Sequence, residues 1–392
     1  MTTRGSWAML TLAFRPFFLA ASLWAAAAVA LWIEVYLNGW VLPSRFDPLS
    51  WHIHEMLFGF VLAAIAGFML TAIPNWTGRK PIQGALLGFL ALLWLAGRIA
   101  CLISAWLPFW LAAAIDVSFP FVLALLAARE IIAARNWRNL AMPAPVAVLG
   151  IADLLMYLER AGYAVPPALG WRLGLAAIIV LISVVGGRII PSFTRNWLMK
   201  RGQGDLPPAH AWLDRLGLTA LHGGLIGWAF FPAFRPFGVL LLLAAALNLW
   251  RLLRWRGLDT LPEPLLWVLH LGYLWVIVGA ALLGASVLSV RLPMTAAIHA
   301  FTAGAIGTMI LAVMTRVSRG HTGRPLTADR FTTLIYVLVS AAAVARVSAA
   351  VGGQFSLRWL GASAVLWVAS FTVFAILYGP MLVAPRPPAA RP

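Results

Sequence analysis

Apolar residues run along this chain in blocks of about twenty, each long enough to cross the ~30 Å hydrocarbon core of a bilayer as a helix. Twelve such blocks lie near 17–37, 51–73, 83–106, 109–131, 142–159, 170–190, 212–231, 236–254, 263–288, 293–315, 331–351 and 357–380. Proline- and glycine-containing stretches such as "IPNWTGRKP", "AMPAP" and "HTGRPL" punctuate the gaps. The 142–159 block reads as a broken one. The pattern predicts an all-α, polytopic membrane helix bundle of about 12 transmembrane helices, with residues 1–392 as a single transmembrane domain. No soluble domain, linker or internal repeat is apparent.

Composition agrees with the pattern. The chain is 62% hydrophobic and 10% charged, where a soluble domain carries about 25% charged residues. Its net charge of +17 would suggest nucleic acid in a soluble protein, but the distribution says otherwise. With an even number of spans, eighteen Arg and Lys residues fall on the side of the two termini, including Arg79, Lys80, Arg195 and Arg316, and six on the other. That asymmetry predicts cytoplasmic termini. The expected partner is the lipid bilayer, with no nucleic acid. A single cysteine, Cys101, excludes a disulfide framework, a cysteine-rich metal site and covalent haem attachment.

Topology gives each intramembrane polar residue a depth. His52, His54 and Glu55 open the second block at its outer end. His299 lies about two turns into the tenth. Arg98 and Asp116 come level on consecutive helices joined by "LPF", and are expected to pair, which makes both charges tolerable. Asp153 and Arg346 fall in the same outer half. On a helix His52 and His54 point about 200° apart, so unless the helix starts after His52 they serve two sites, or one ligates while the other hydrogen-bonds. His52 and Met56, at i and i+4, form a soft ligand pair suited to copper. Glu55, Asp116 and Asp153 offer a proton path. His270 and His321 approach from the cytoplasmic side as a second, inner site. His222 is open between ligand and interhelical hydrogen bond, and His210 reads as a solvated loop residue.

Seven stretches in order resemble one family: "LAFRPFFLAA" near the N-terminus, "WHIHEMLFGF" at 51–60, "GFMLTAIPNWTGRKP" at 67–81, "LLWLAGR" at 92–98, "VVGGRIIPSFTRNWL" at 184–198, "LLWVLHLGYLW" at 265–275 and "HAFTAGAIGTMILAVMTRVSRGHTGRPL" at 299–326. They resemble the NnrS proteins, twelve-span membrane proteins of bacterial nitric oxide metabolism that contain haem and copper. The resemblance implies haem b with copper or another non-haem metal, a place in the bacterial inner (cytoplasmic) membrane, and nitric oxide as the ligand. It implies that His52, His54, His270, His299 and His321 are the family's histidines. Arg98 and Arg346, from their depth, are expected beside the cofactors. The adjacent His–His pair of haem-copper oxidases is missing, so any dinuclear chemistry here is built differently.

Three functions follow as expectations. The first is an enzyme that binds and reduces nitric oxide, drawing electrons from quinol or a redox protein. The second is a non-catalytic haem protein that binds nitric oxide for protection. The third is a copper or haem transporter.

Overall fold

A computed structural model of the protein describes residues 8–206 and 211–385. His210, Arg4, Arg386 and Arg391 lie outside them. Among the described residues the chain is helical throughout: α1 (Phe14–Asn38), α2 (Pro48–Thr77), α3 (Ala85–Leu102), α4 (Phe109–Ala133), α5 (Pro143–Arg160), α6 (Leu169–Lys200), α7 (Ala211–Phe230), α8 (Arg235–Leu253), α9 (Pro264–Leu288), α10 (Met294–His321), α11 (Arg330–Val351) and α12 (Ser356–Val383). The polytopic bundle read from the sequence is therefore present. Eleven of these helices are long and apolar enough to span a membrane. The exception is α7, which carries Asp214, Arg215, His222 and four glycines.

The 142–159 block is not broken: α5 is one helix. Pro143 and Pro145 sit in its first turn, where a missing N–H costs no helical hydrogen bond. Two helices, α2 and α10, are not α-helical throughout. Each starts with a short α segment ending at a histidine, passes through π turns, and returns to α. The π segments are Glu55–Val61 and Ala300–Gly307.

The chain gathers into two compact units. Unit 1 comprises Met1–Ala177, Met314–Pro325 and Phe371–Pro392. In it α1 packs on α2, α2 on α4, α3 on α4 and α4 on α5. Unit 2 comprises Ile178–Val313 and Leu326–Ser370. In it α7 packs on α8, α8 on α9, α9 on α10 and α10 on α11. The α8–α9 crossing is close because Gly238 and Gly284 face each other: a Cβ at Gly284 would lie 2.6 Å from the Gly238 carbonyl oxygen. Lipid tails give helices no hydrophobic reason to associate, so small residues that let backbones touch set such crossings.

Candidate functional site

The start of α2 is fixed locally. Asp47 caps it, accepting from the amides of Leu49 (3.1 Å) and Ser50 (3.0 Å), and Pro48 follows at the first helical position. Burial pulls the Asp47 carboxyl up, but hydrogen bonds from Ser50 and Leu49 outweigh it and hold the group below its ordinary range. Two turns later the helix widens into π turns directly after His54, a distortion often found at functional sites.

His54, Glu55, Arg98, Asp116 and Asp153 meet in unit 1, each at most 2% exposed. His54 Nδ1 lies 3.2 Å from Glu55 Oε1, and its Nε2 lies 2.9 Å from Asp153 Oδ1 and 3.2 Å from Asp116 Oδ2. Arg98 bridges two helices, with Nη1 donating to Glu55 Oε2 at 2.8 Å and Nη2 to Asp116 Oδ1. The expected Arg98–Asp116 pair is thus present, with Glu55 as a third member. Tyr157 Oη donates to Asp116 Oδ2 at 2.9 Å, and Trp24 Nε1 to Glu55 Oε2 at 2.7 Å. Phe46 stacks on the His54 ring at 5.1 Å.

Two glycines make this convergence possible. A Cβ at Gly59 would fall 2.7 Å from Trp24 Nε1 and 2.8 Å from both Arg98 Nη1 and Glu55 Oε2. One at Gly97 would fall 2.7 Å from Asp116 Oδ1.

The cluster's charges do not balance. Three carboxyl groups face one guanidinium and one imidazole, so with all three ionised a negative charge is left even when the ring carries both protons, to be cancelled by a proton on one carboxyl or by a bound cation. A ring with carboxyl oxygens at both nitrogens meets them by donating from both, by accepting at one nitrogen from a protonated carboxyl, or by sharing a cation with them. Asp153 Oδ2 is buried with no hydrogen-bond partner among the described residues. His54, Asp116 and Asp153 offer donor atoms within 4.8 Å of one another, as do His54, Glu55 and Cys101. A nitrogen-and-oxygen set of this kind suits a borderline divalent metal ion.

The other predicted residues of unit 1 lie elsewhere in it. The His52 ring stacks on Trp32 at 4.2 Å, in keeping with its expected divergence from His54. Met56 is half-buried within the π turns, where i, i+4 alignment with His52 is loosened. His321 lies with its ring 5.7 Å from that of Phe14.

Unit 2 holds the remaining histidines. His299 donates from Nδ1 to the Thr295 carbonyl at 2.7 Å, the kind of contact that fixes a tautomer. His270 Nε2 meets Thr194 Oγ1 at 2.9 Å, while its buried Nδ1 has no hydrogen-bond partner among the described residues. The backbone of Gly257 closes over that nitrogen, since a Cβ there would lie 2.8 Å away. His222 Nε2 meets Ser183 Oγ at 2.7 Å, the interhelical bond of its plainer reading. Arg346 is half-buried on α11. A second polar group forms here: Arg251 Nη1 donates to Tyr273 Oη at 2.9 Å, which donates to Asn248 Oδ1 at 2.8 Å.

Sequence reasoning missed Tyr157, Trp24 and Cys101 as members of the cluster. Tyr157 follows Asp153 at i+4 on α5, so helical spacing already put it on that face. Trp24 carries no such signal. Cys101 lies 3.4 Å from His54 Nδ1 through its Sγ, and follows Arg98 at i+3.

A helical membrane bundle with a buried cluster of ionisable groups on its histidine-bearing helix defines a class of membrane protein built around intramembrane polar chemistry. Residues 8–386 match the family model described as NnrS protein, and the chain belongs to the NnrS family. That membership supports a role in nitric oxide-related processes. The chain matches no curated protein.

Proposed function

We propose that this protein is a haem b- and metal-containing membrane protein that binds nitric oxide and reduces it. One observation carries the reading: the buried His54 cluster, with more carboxylates than cations and an unpartnered Asp153 oxygen, in a chain of this family. An ionisable group inside a membrane costs at least ~2.5 kcal/mol, so a centre of this density argues for use rather than packing. The donor set of His54, Asp116 and Asp153 suits the non-haem metal, copper or another. The fixed tautomer of His299 suits an iron ligand.

When bound, haem iron and the second metal supply the open positions at which nitric oxide is held and reduced. The overall step joins two nitric oxide molecules with two electrons and two protons, giving nitrous oxide and water. Quinol or a docked redox protein supplies the electrons. The chain's own part is to hold protons beside the metal, on Asp153 and Glu55, and to exclude water through the buried rings of Phe46 and Phe58, which lie 5.1 and 5.3 Å from that of His54.

We place the protein in the bacterial inner membrane with both termini cytoplasmic, on the charge asymmetry of its loops. A reporter inserted at 38–48 should face outward. The test of function is the purified protein. It should show a Soret band and bound metal, and should consume nitric oxide steadily when given an electron donor. Haem without turnover would reduce the reading to a protective nitric oxide binder, and absence of both haem and metal would refute it.

A further inference from the structure

The helices α2 and α10 are built alike. From Pro48 the chain reads "PLSWHIHEMLFGFVLAAIAGFM", and from Pro293 "PMTAAIHAFTAGAIGTMILAVM". Proline, isoleucine, histidine, glycine, isoleucine and methionine recur in register as Pro48 and Pro293, Ile53 and Ile298, His54 and His299, Gly59 and Gly304, Ile65 and Ile310, Met69 and Met314. Ser50 and Thr295 also correspond. The backbone repeats with them, because in both helices the α segment ends at the histidine and the π turns begin at the next residue.

The surroundings repeat too, each inside its own unit. A 25-residue helix precedes each copy, α1 and α9. From near its middle a tryptophan covers the glycine of the π turns. A Cβ at Gly59 would meet Trp24 Nε1 at 2.7 Å, and one at Gly304 would meet the Trp275 ring at 2.5 Å. The helix that follows, α3 or α11, carries an arginine near its last turn, Arg98 or Arg346. The copies differ in charge. Where the first has Glu55, the second has Ala300. Trp24 Nε1 donates to Glu55 Oε2, whereas the buried Trp275 Nε1 has no acceptor among the described residues.

We infer that α2 and α10 are two copies of one histidine-bearing element that have divided the work: the His54 copy holds a bare metal ion, and the His299 copy holds a metal inside a macrocycle that brings its own carboxylate. This rests on the metal-binding reading above and assigns its two cofactors. A bare ion needs three or more protein donors. Among the described residues such groups occur only around His54. The His299 copy contributes an imidazole with a fixed tautomer and an N–H lacking an acceptor. Haem would bring what this copy lacks, further ligands for its metal and a carboxylate of the kind that Glu55 offers Trp24.

The test measures haem by its Soret band and non-haem metal by mass spectrometry, on protein that stays monodisperse in detergent. Wild-type protein should carry both. His299→Ala should lose most of its haem and keep its non-haem metal, and Asp153→Asn with His54→Ala should do the reverse. Ala300→Glu gives Trp275 the carboxylate that Trp24 has, and should lower haem content. Trp275→Phe, a gentler change, should retain haem but release it severalfold faster to a haem-scavenging apoprotein. Wild-type protein with neither cofactor would overturn the function and this assignment together. Wild-type protein with both, in which His299→Ala keeps its haem or Trp275→Phe releases it at the wild-type rate, would overturn the assignment alone.

Discussion

Removing Arg98 should do more damage than removing either carboxylate it serves. Arg98 is 2% exposed and bonds Glu55 on α2 and Asp116 on α4. In Arg98→Ala three carboxyl groups face only His54 in a site buried from solvent. Breaking a buried pair by deleting one partner costs about 3–5 kcal/mol, and here two pairs break at once, so the upper end applies. Asp116→Ala removes one negative charge from a cluster that has too many, and leaves Arg98 its bond to Glu55. Its cost should be smaller, on the order of 1–3 kcal/mol for the hydrogen bonds lost by Tyr157 and Arg98. The double variant removes the arginine and part of the charge it left stranded, so it should be milder than the sum of the two. The coupling should be on the order of 1–3 kcal/mol. Unfolding of the four proteins in one detergent, followed by tryptophan fluorescence, measures the cycle. Additivity within about 0.5 kcal/mol would mean that the two side chains act independently, and the charge argument for the site would fail with it. Arg98→Lys should not rescue, since a single ammonium cannot reproduce a fork reaching two helices.

Gly97→Ala places a methyl 2.7 Å from Asp116 Oδ1, so it should part Arg98 from Asp116 and destabilise by about 1–3 kcal/mol, read in the same unfolding assay. Tyr273→Phe takes the hydroxyl from between Arg251 and Asn248 and should cost about 1–3 kcal/mol; a neutral result would mean water serves both. Asp47→Ala removes the cap of α2 and should cost about 1 kcal/mol, seen as faster hydrogen exchange at Leu49 and Ser50. Because the folded Asp47 carboxyl titrates lower than in the unfolded chain, the cap's contribution is present at neutral pH and lost as pH falls below about 4. The variant should therefore differ from wild type at pH 7 and converge with it in acid.

The helices were legible because a membrane imposes a length and a polarity that composition alone reveals. Arg98 and Asp116 were legible because a three-residue connection forces two helices into register, and opposite charges at one depth have reason to meet. Trp24 and the duplication were not. Nothing in an apolar run distinguishes an α turn from a π turn, since both bury the same residues and differ only in which carbonyl an amide reaches. The likeness of α2 and α10 rests on six shared residues among apolar ones that any membrane helix could carry. It gains meaning from the backbone, where both histidines stand at the same break. Cys101 was read only for the chemistry a lone cysteine excludes, which drew attention away from its place one turn beyond Arg98.

Arg15, near the start of α1, donates through Nη1 to the carbonyls of Leu382 (2.9 Å) and Ala384 (2.5 Å). The stretch that holds those acceptors is made long after α1, since they lie 367 and 369 residues further along the chain. Until it emerges, Arg15 is a buried cation without its acceptors, and unit 1 waits, its charged centre already threaded into the bilayer, for residues beyond Phe371. A nascent chain stalled before α12 therefore carries, on α1, an arginine whose acceptors have not yet been made. Membrane quality control has a reason to read that arginine.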